Sequence, residues 1–125
     1  MTENEISNKI IGAAIEVHRA LGPGLLDSVY RQCLQYELQQ LSMECSTEVV
    51  IPAVYKDLEI DTAYRLDILV MNKVIIELKV VESLLPVHRA QLLSYLRLTG
   101  MKLGLLINFN VAVLKDGMLR IVNNL

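Results

Sequence analysis

Near the N-terminus, apolar residues recur at helical spacing. Ile6, Ile10, Ala13, Ala14, Val17 and Leu21 form one stripe and Ile11 and Ile15 widen it, predicting a well-buried helix over residues 5–21. Gly22-Pro23-Gly24 ends it, because proline cannot continue the hydrogen-bond ladder and glycine accepts unusual dihedrals. Val29, Tyr30, Cys33, Leu34, Leu38 and Leu41 predict a second helix from about Leu26 to Leu41. The pattern then changes. Glu48–Tyr55 and Leu58–Val70 are rich in β-branched and aromatic residues and read as strands, with a turn near Lys56-Asp57. Lys73–Val81 reads as a third strand, Pro86 as the first turn of a helix reaching about Leu98, and Leu103–Asn108 as a fourth strand. Val111–Lys115 and Met118–Val122 predict a final hairpin around Asp116-Gly117. The expected order is α-α-β-β-β-α-β-β-β, an α/β or α+β sandwich.

The 125 residues are 53% apolar and 21% charged, which fits one globular domain over 1–125 with a single core. An apolar fraction this high also leaves room for a homodimer interface. The acidic, polar start Met1–Glu5 is unlike a signal peptide, and runs such as Leu103–Ile107 are too short to cross a membrane. Cys33 and Cys45 lack metal-ligand spacing and read as reduced thiols, so a cytoplasmic protein is expected. A net charge of −2 argues against holding nucleic acid by bulk charge alone; a phosphate-bearing partner needs a local basic patch or a bound cation.

Chemistry concentrates in Arg65-Leu66-Asp67-Ile68-Leu69-Val70 and Val74-Ile75-Ile76-Glu77-Leu78-Lys79-Val80-Val81. Such runs suit strands covered on both faces, where an unpartnered charge is costly. Side chains alternate along a strand, so Glu77 and Lys79 share a face. A three-residue loop, Met71 to Lys73, pairs Val70 with Val74 and sets Asp67 opposite Glu77, whereas a two-residue loop sends the acids to opposite faces; the three-residue loop is favoured. Two carboxylates about 5 Å apart repel by roughly 3 kcal/mol at an effective dielectric of about 20. Lys79 balances only one of them. A divalent cation resolves the surplus, and oxygen ligands suit Mg²⁺ or Mn²⁺. The alternative is a structural salt bridge between Lys79 and one acid.

On the following helix, Gln91 and Tyr95 lie four apart and share a face. Asp67, Glu77-Leu78-Lys79 and Gln91-x-x-x-Tyr95 together resemble the PD-(D/E)XK nuclease superfamily, closest to its RecB and lambda-exonuclease-like branch. Gly24-Leu25-Leu26-Asp27-Ser28-Val29-Tyr30 looks like the signature of the GxxExxY family within it, with Asp27 where the signature has glutamate. The resemblance implies a restriction-endonuclease-like core, a central mixed β-sheet flanked by helices. It implies a Mg²⁺- or Mn²⁺-dependent nuclease acting on DNA or RNA. Asp67, Glu77 and the Leu78 carbonyl would hold the metal, with Asp27 as a further ligand or a helix cap and His18 as a ligand or a packed core residue. Lys79 would stabilise developing charge, and Gln91 and Tyr95 would position the substrate. Arg65, Arg89 and Arg97 are candidate phosphate contacts. Two other readings keep the fold: a non-catalytic interaction module, and a hydrolase of small phosphate esters.

Overall fold

The computed structural model describes residues 1–125. Helix α1 (Glu3–Leu21) starts at a reciprocal cap: the Glu5 N–H donates to Thr2 Oγ1, and the Thr2 N–H donates to Glu5 Oε1. It buries Ile6, Ile10, Ala13, Ala14 and Val17, and Gly22 stops it at φ +70°. Helix α2 (Asp27–Gln40) buries Tyr30, Leu34 and Leu38. Strands β1 (Cys45–Tyr55), β2 (Leu58–Val70) and β3 (Val74–Lys79) follow, then helix α3 (Pro86–Thr99), β4 (Leu103–Asn108) and β5 (Met118–Val122). The strands form one mixed sheet in the order β1-β2-β3-β4-β5, parallel only between β3 and β4. No helix is long and apolar enough to cross a membrane. The architecture is the expected α+β one.

One core lies on each face of the sheet. Ile68, Val70, Ile76, Leu78, Leu105 and Ile107 pack with α1 and α2, whereas Leu66, Ile75, Leu106 and Ile121 pack with Leu92 and Leu96 of α3. Odd and even residues of β3 therefore serve different cores. In β2 the alternation breaks at Asp67, because Leu66 faces α3 while Ile68 faces the helix pair. Glu48 falls across from Asp67, between the Thr47–Ile68 and Val49–Leu66 pairs, with a left-handed φ of +51°. The β1–β2 ribbon thus changes the face it buries at the position where the first acid stands.

The expected C-terminal hairpin does not form. Met118–Val122 pairs antiparallel with β4, and a short 3₁₀ turn over Leu114–Gly117 precedes it. Without β5, the edge of β4 would expose unpaired backbone groups. Val111 and Leu114 are apolar because they pack into the α1–α2 core, and a Cβ at Gly117 would come within 2.4 Å of the Asn108 carbonyl oxygen. Boundaries also shift: α1 starts earlier than expected, at Glu3, β1 starts earlier, at Cys45, and β3 ends earlier, at Lys79.

Candidate active site

The loop Met71–Lys73 joins β2 to β3 and pairs Val70 with Val74, the register that sets Asp67 opposite Glu77. Met71 and Asn72 make the reversal with φ of +54° and +55°. The backbone ladder between these strands extends only to the Ile68–Ile76 pair. Beyond it, side chains take over. The Leu78 N–H donates to Asp67 Oδ2 at 2.8 Å, and the Asp67 N–H donates to Glu77 Oε1 at 3.2 Å. Each acid accepts a main-chain N–H from the opposite strand, which fixes one oxygen of each and leaves the other for a ligand.

Glu77 is only 4% exposed and shares the α3 side of the sheet with Ile75. Burial, and then the charge of Asp67 and a side-chain hydrogen bond with it, pushes its carboxyl up to about 9. Lys79 opposes this shift only weakly. The ion pairs of the molecule are Arg19–Glu16 and Arg31–Glu48, and neither involves Lys79. The alternative of a structural salt bridge at Lys79 is therefore not realised, and the acids hold a proton where a cation could sit.

On α3, Leu92 and Leu96 seat the helix on the sheet. Tyr95 turns toward the acids, and its ring stacks on Tyr64 with centroids 4.5 Å apart and planes at 11°. Burial, joined by the charges of Glu77 and Asp67, raises the Tyr95 hydroxyl above its ordinary range. Gln91 lies one turn earlier on the same ridge and is exposed. Tyr64, which no pattern in the sequence singles out, has a buried hydroxyl with no hydrogen-bond partner.

The C-terminal end of β3 is held by β4. Asn108 neighbours Lys79 in the parallel register, is 1% exposed, and clamps the chain beyond β3. Its Oδ1 accepts the N–H groups of Val81 and Asn110, and its Nδ2 donates to the Val81 carbonyl. The Phe109 N–H donates to the Lys79 carbonyl at 3.0 Å. Sequence reasoning also missed Asn108, although a polar side chain ending the apolar run Leu103–Ile107 is the same kind of signal that exposed the acids.

The other expected residues divide. Asp27 stands in the first turn of α2, where its Oδ1 accepts the Ser28 N–H, and it lines a cleft with Leu78 and Lys79. It is thus close to the site, yet no third acid, histidine or cysteine joins a cluster with Asp67 and Glu77. His18 is engaged in the α1–α2 layer: its Nε2 is 2.7 Å from the Val111 carbonyl oxygen, and its ring is 6.3 Å from that of Phe109. Arg65 pairs across the ribbon with Val50 and so faces away from Tyr64 and the acids. Arg89 and Arg97 share a ridge with Leu93, on the opposite flank of α3 from Gln91 and Tyr95. The three arginines do not converge with Lys79. A groove between α1 and α2, lined by Val17, Leu21, Cys33 and Tyr36, lies on the other side of the sheet.

Comparison with curated proteins and with solved structures gives no match. A family model does match, described as the PD-(D/E)XK nuclease superfamily and covering residues 4–121, so this chain belongs to that superfamily.

Proposed function

We propose that this protein is a divalent-metal-dependent phosphodiesterase acting on nucleic acid, with its chemistry at the junction of β2, β3 and α3. The observation that carries this reading is the acid pair, in which buried Glu77 keeps a proton up to about 9 beside the half-buried Asp67 while Lys79 stays unpaired. The donor set fits a hard cation: one oxygen of Asp67, one of Glu77 and the Leu78 main-chain carbonyl are the oxygens Mg²⁺ and Mn²⁺ prefer. With few protein ligands, water would complete the shell, as Mg²⁺ commonly requires. Such a cation supplies Lewis-acid polarisation of the phosphodiester and activation of water.

The chain's own groups do the rest. Asp67 and Glu77 are held by main-chain N–H groups and need little reorganisation to accept a cation in place of the shared proton. Lys79 supplies an ammonium where negative charge develops on phosphorus-bound oxygen. Tyr95, stacked on Tyr64, walls the acids on the α3 side, and Gln91 offers an amide at the mouth. The likeness of Gly24–Tyr30 to the GxxExxY signature supports membership of that family. The tyrosine of that signature acts structurally here, since the Tyr30 hydroxyl donates to the Gly22 carbonyl and accepts the Leu25 N–H, fixing the turn before α2. The free cysteines Cys33 and Cys45 fit a reducing, cytoplasmic setting.

Incubation of the purified protein with single- and double-stranded DNA and RNA in Mn²⁺ or Mg²⁺ tests the reading, and metal-dependent cleavage of at least one substrate is expected. The scattered arginines and the net charge of −2 favour one competitor, a non-catalytic module on the same fold. Calorimetric titration with Mn²⁺ separates the two: absence of binding at Asp67 and Glu77 would remove the enzyme reading.

A further inference from the structure

Beyond the acids, the cleft shared by Asp27 and Lys79 remains without a role. It opens at the C-terminal end of β3, between that strand and the turn leading into α2, and encloses about 390 Å³. Its walls are apolar on both sides: Leu25 and Leu26 from the turn, Val80 and Val81 from the chain beyond β3. Leu26 is 72% exposed and Leu25 39%, an arrangement that costs hydrophobic free energy unless something covers them. Both walls are fixed. The Tyr30 hydroxyl anchors the turn through Gly22 and Leu25, and Asn108 anchors Val81 from below. The polar groups are one carboxylate, Asp27, with Oδ1 engaged by the Ser28 N–H and Oδ2 left over, and one ammonium, Lys79.

We infer that this cleft receives a single unpaired nucleobase carrying an amino group, from the strand whose phosphate lies at Lys79. The inference rests on the phosphodiesterase reading above and extends it from a reaction to a substrate class. Two rigid aliphatic walls suit a flat heteroaromatic ring, and the volume falls in the range of small-ligand pockets, which begins near ~300 Å³. Asp27 can only accept hydrogen bonds when ionised, so it selects a base edge rich in donors. The exocyclic amino groups of cytosine, adenine and guanine meet that need, as carboxylates do when they accept from cytosine N4. Thymine and uracil present one imide N–H flanked by two carbonyl oxygens, which a carboxylate repels. In a duplex those edges are engaged in pairing, so the base must arrive unpaired, from a single strand, a loop or a frayed end. Lys79 belongs to both the cleft and the acid pair, which joins base to phosphate without the scattered arginines.

At 14.1 kDa the protein suits methyl-resolved NMR, and binding can be read without metal and therefore without cleavage. Titration with trideoxycytidylate should move the methyl signals of Leu25, Leu26, Val80 and Val81 in preference to those of the α1–α2 groove. It should bind at least about threefold more tightly than trithymidylate, a base of similar size without the amino group. D27N should abolish that preference, and L26S, at an exposed position that does not threaten folding, should weaken both ligands. Unmoved cleft methyls, equal affinity for the two trinucleotides, or a preference surviving in D27N would each overturn the proposal. So would cleft signals that shift with protein concentration alone, which would give the surface to a second copy of the chain. Metal-dependent cleavage without cleft shifts would sink only the base site. Cleft binding without cleavage under any metal would sink only the phosphodiesterase reading.

Discussion

Strands β3 and β4 are parallel neighbours, buried along nearly their whole length, and each carries one buried polar side chain in an apolar run. Asn108 on β4 is satisfied on every side by the main chain of Val81 and Asn110. Glu77 on β3 receives one N–H at 3.2 Å, faces another acid, and retains a proton up to about 9. The first is a buried polar group that the fold has completed. The second is one that the fold holds incomplete, and a group held so against its own solvation marks a place for chemistry rather than for stability.

The largest test of that contrast is catalytic. Lys79→Ala removes an ammonium that no carboxylate in the structure engages, so the fold should survive while cleavage falls by about 10³-fold, as when one charge-stabilising group is lost elsewhere. Matched circular dichroism spectra and single-turnover rates in Mn²⁺ measure both halves. A variant that unfolds would mean Lys79 is structural after all.

Asn108→Ala should do the opposite. It strips two N–H groups of their acceptor in a buried region, at a cost of about 1–3 kcal/mol for each unsatisfied group. Urea denaturation should register a loss of about 3 kcal/mol, and a loss below about 1 kcal/mol would show that water replaces the amide there.

Glu77→Gln sharpens the comparison through pH. Above the ordinary carboxyl value of 4.5 the unfolded chain releases this proton, whereas the fold keeps it to about 9. The folded state binds more protons across that window, so stability of the metal-free protein should fall as pH rises through it. Glutamine cannot ionise, so its unfolding free energy should vary less between about pH 5 and 9 and exceed that of wild type at about pH 8, by about 1 kcal/mol or more. Mn²⁺ binding should be lost in the same variant. A wild-type midpoint rising with pH would contradict the proton assigned to Glu77.

The same physics explains which features were legible in the sequence. Helices α1, α2 and α3 announced themselves because each buries one periodic face, and the β2–β3 hairpin because its near-continuous apolar runs suit strands covered on both faces. The acids were legible for the reverse reason, since charges in an apolar strand break the pattern. Residues 111–122 misled because Val111 and Leu114 mimic strand alternation while plugging the core from an irregular segment. Arg65, Arg89 and Arg97 could not be placed from the sequence, because it shows that a cation exists but not which flank it occupies. For Arg65 that depended on its pairing with Val50, and for Arg89 and Arg97 on which ridge of α3 turned to the acids.

The smallest effect belongs to Tyr64, and it is the finest probe. Its buried hydroxyl has no partner, so Tyr64→Phe removes a desolvated group without removing a bond. The ring stays, and with it the stack on Tyr95. Stability of the metal-free protein should therefore stay level or rise by about 1 kcal/mol, where the Asn108 change lowers it. If the hydroxyl is kept for a water or phosphate oxygen bound beside the acids, the same variant should lose about three- to tenfold in cleavage rate at unchanged Mn²⁺ affinity. A stabilised variant with full activity would make Tyr64 a stacking platform for Tyr95 and nothing more. A destabilised one would reveal a hydrogen bond to solvent and move Tyr64 to the completed side of the contrast, beside Asn108.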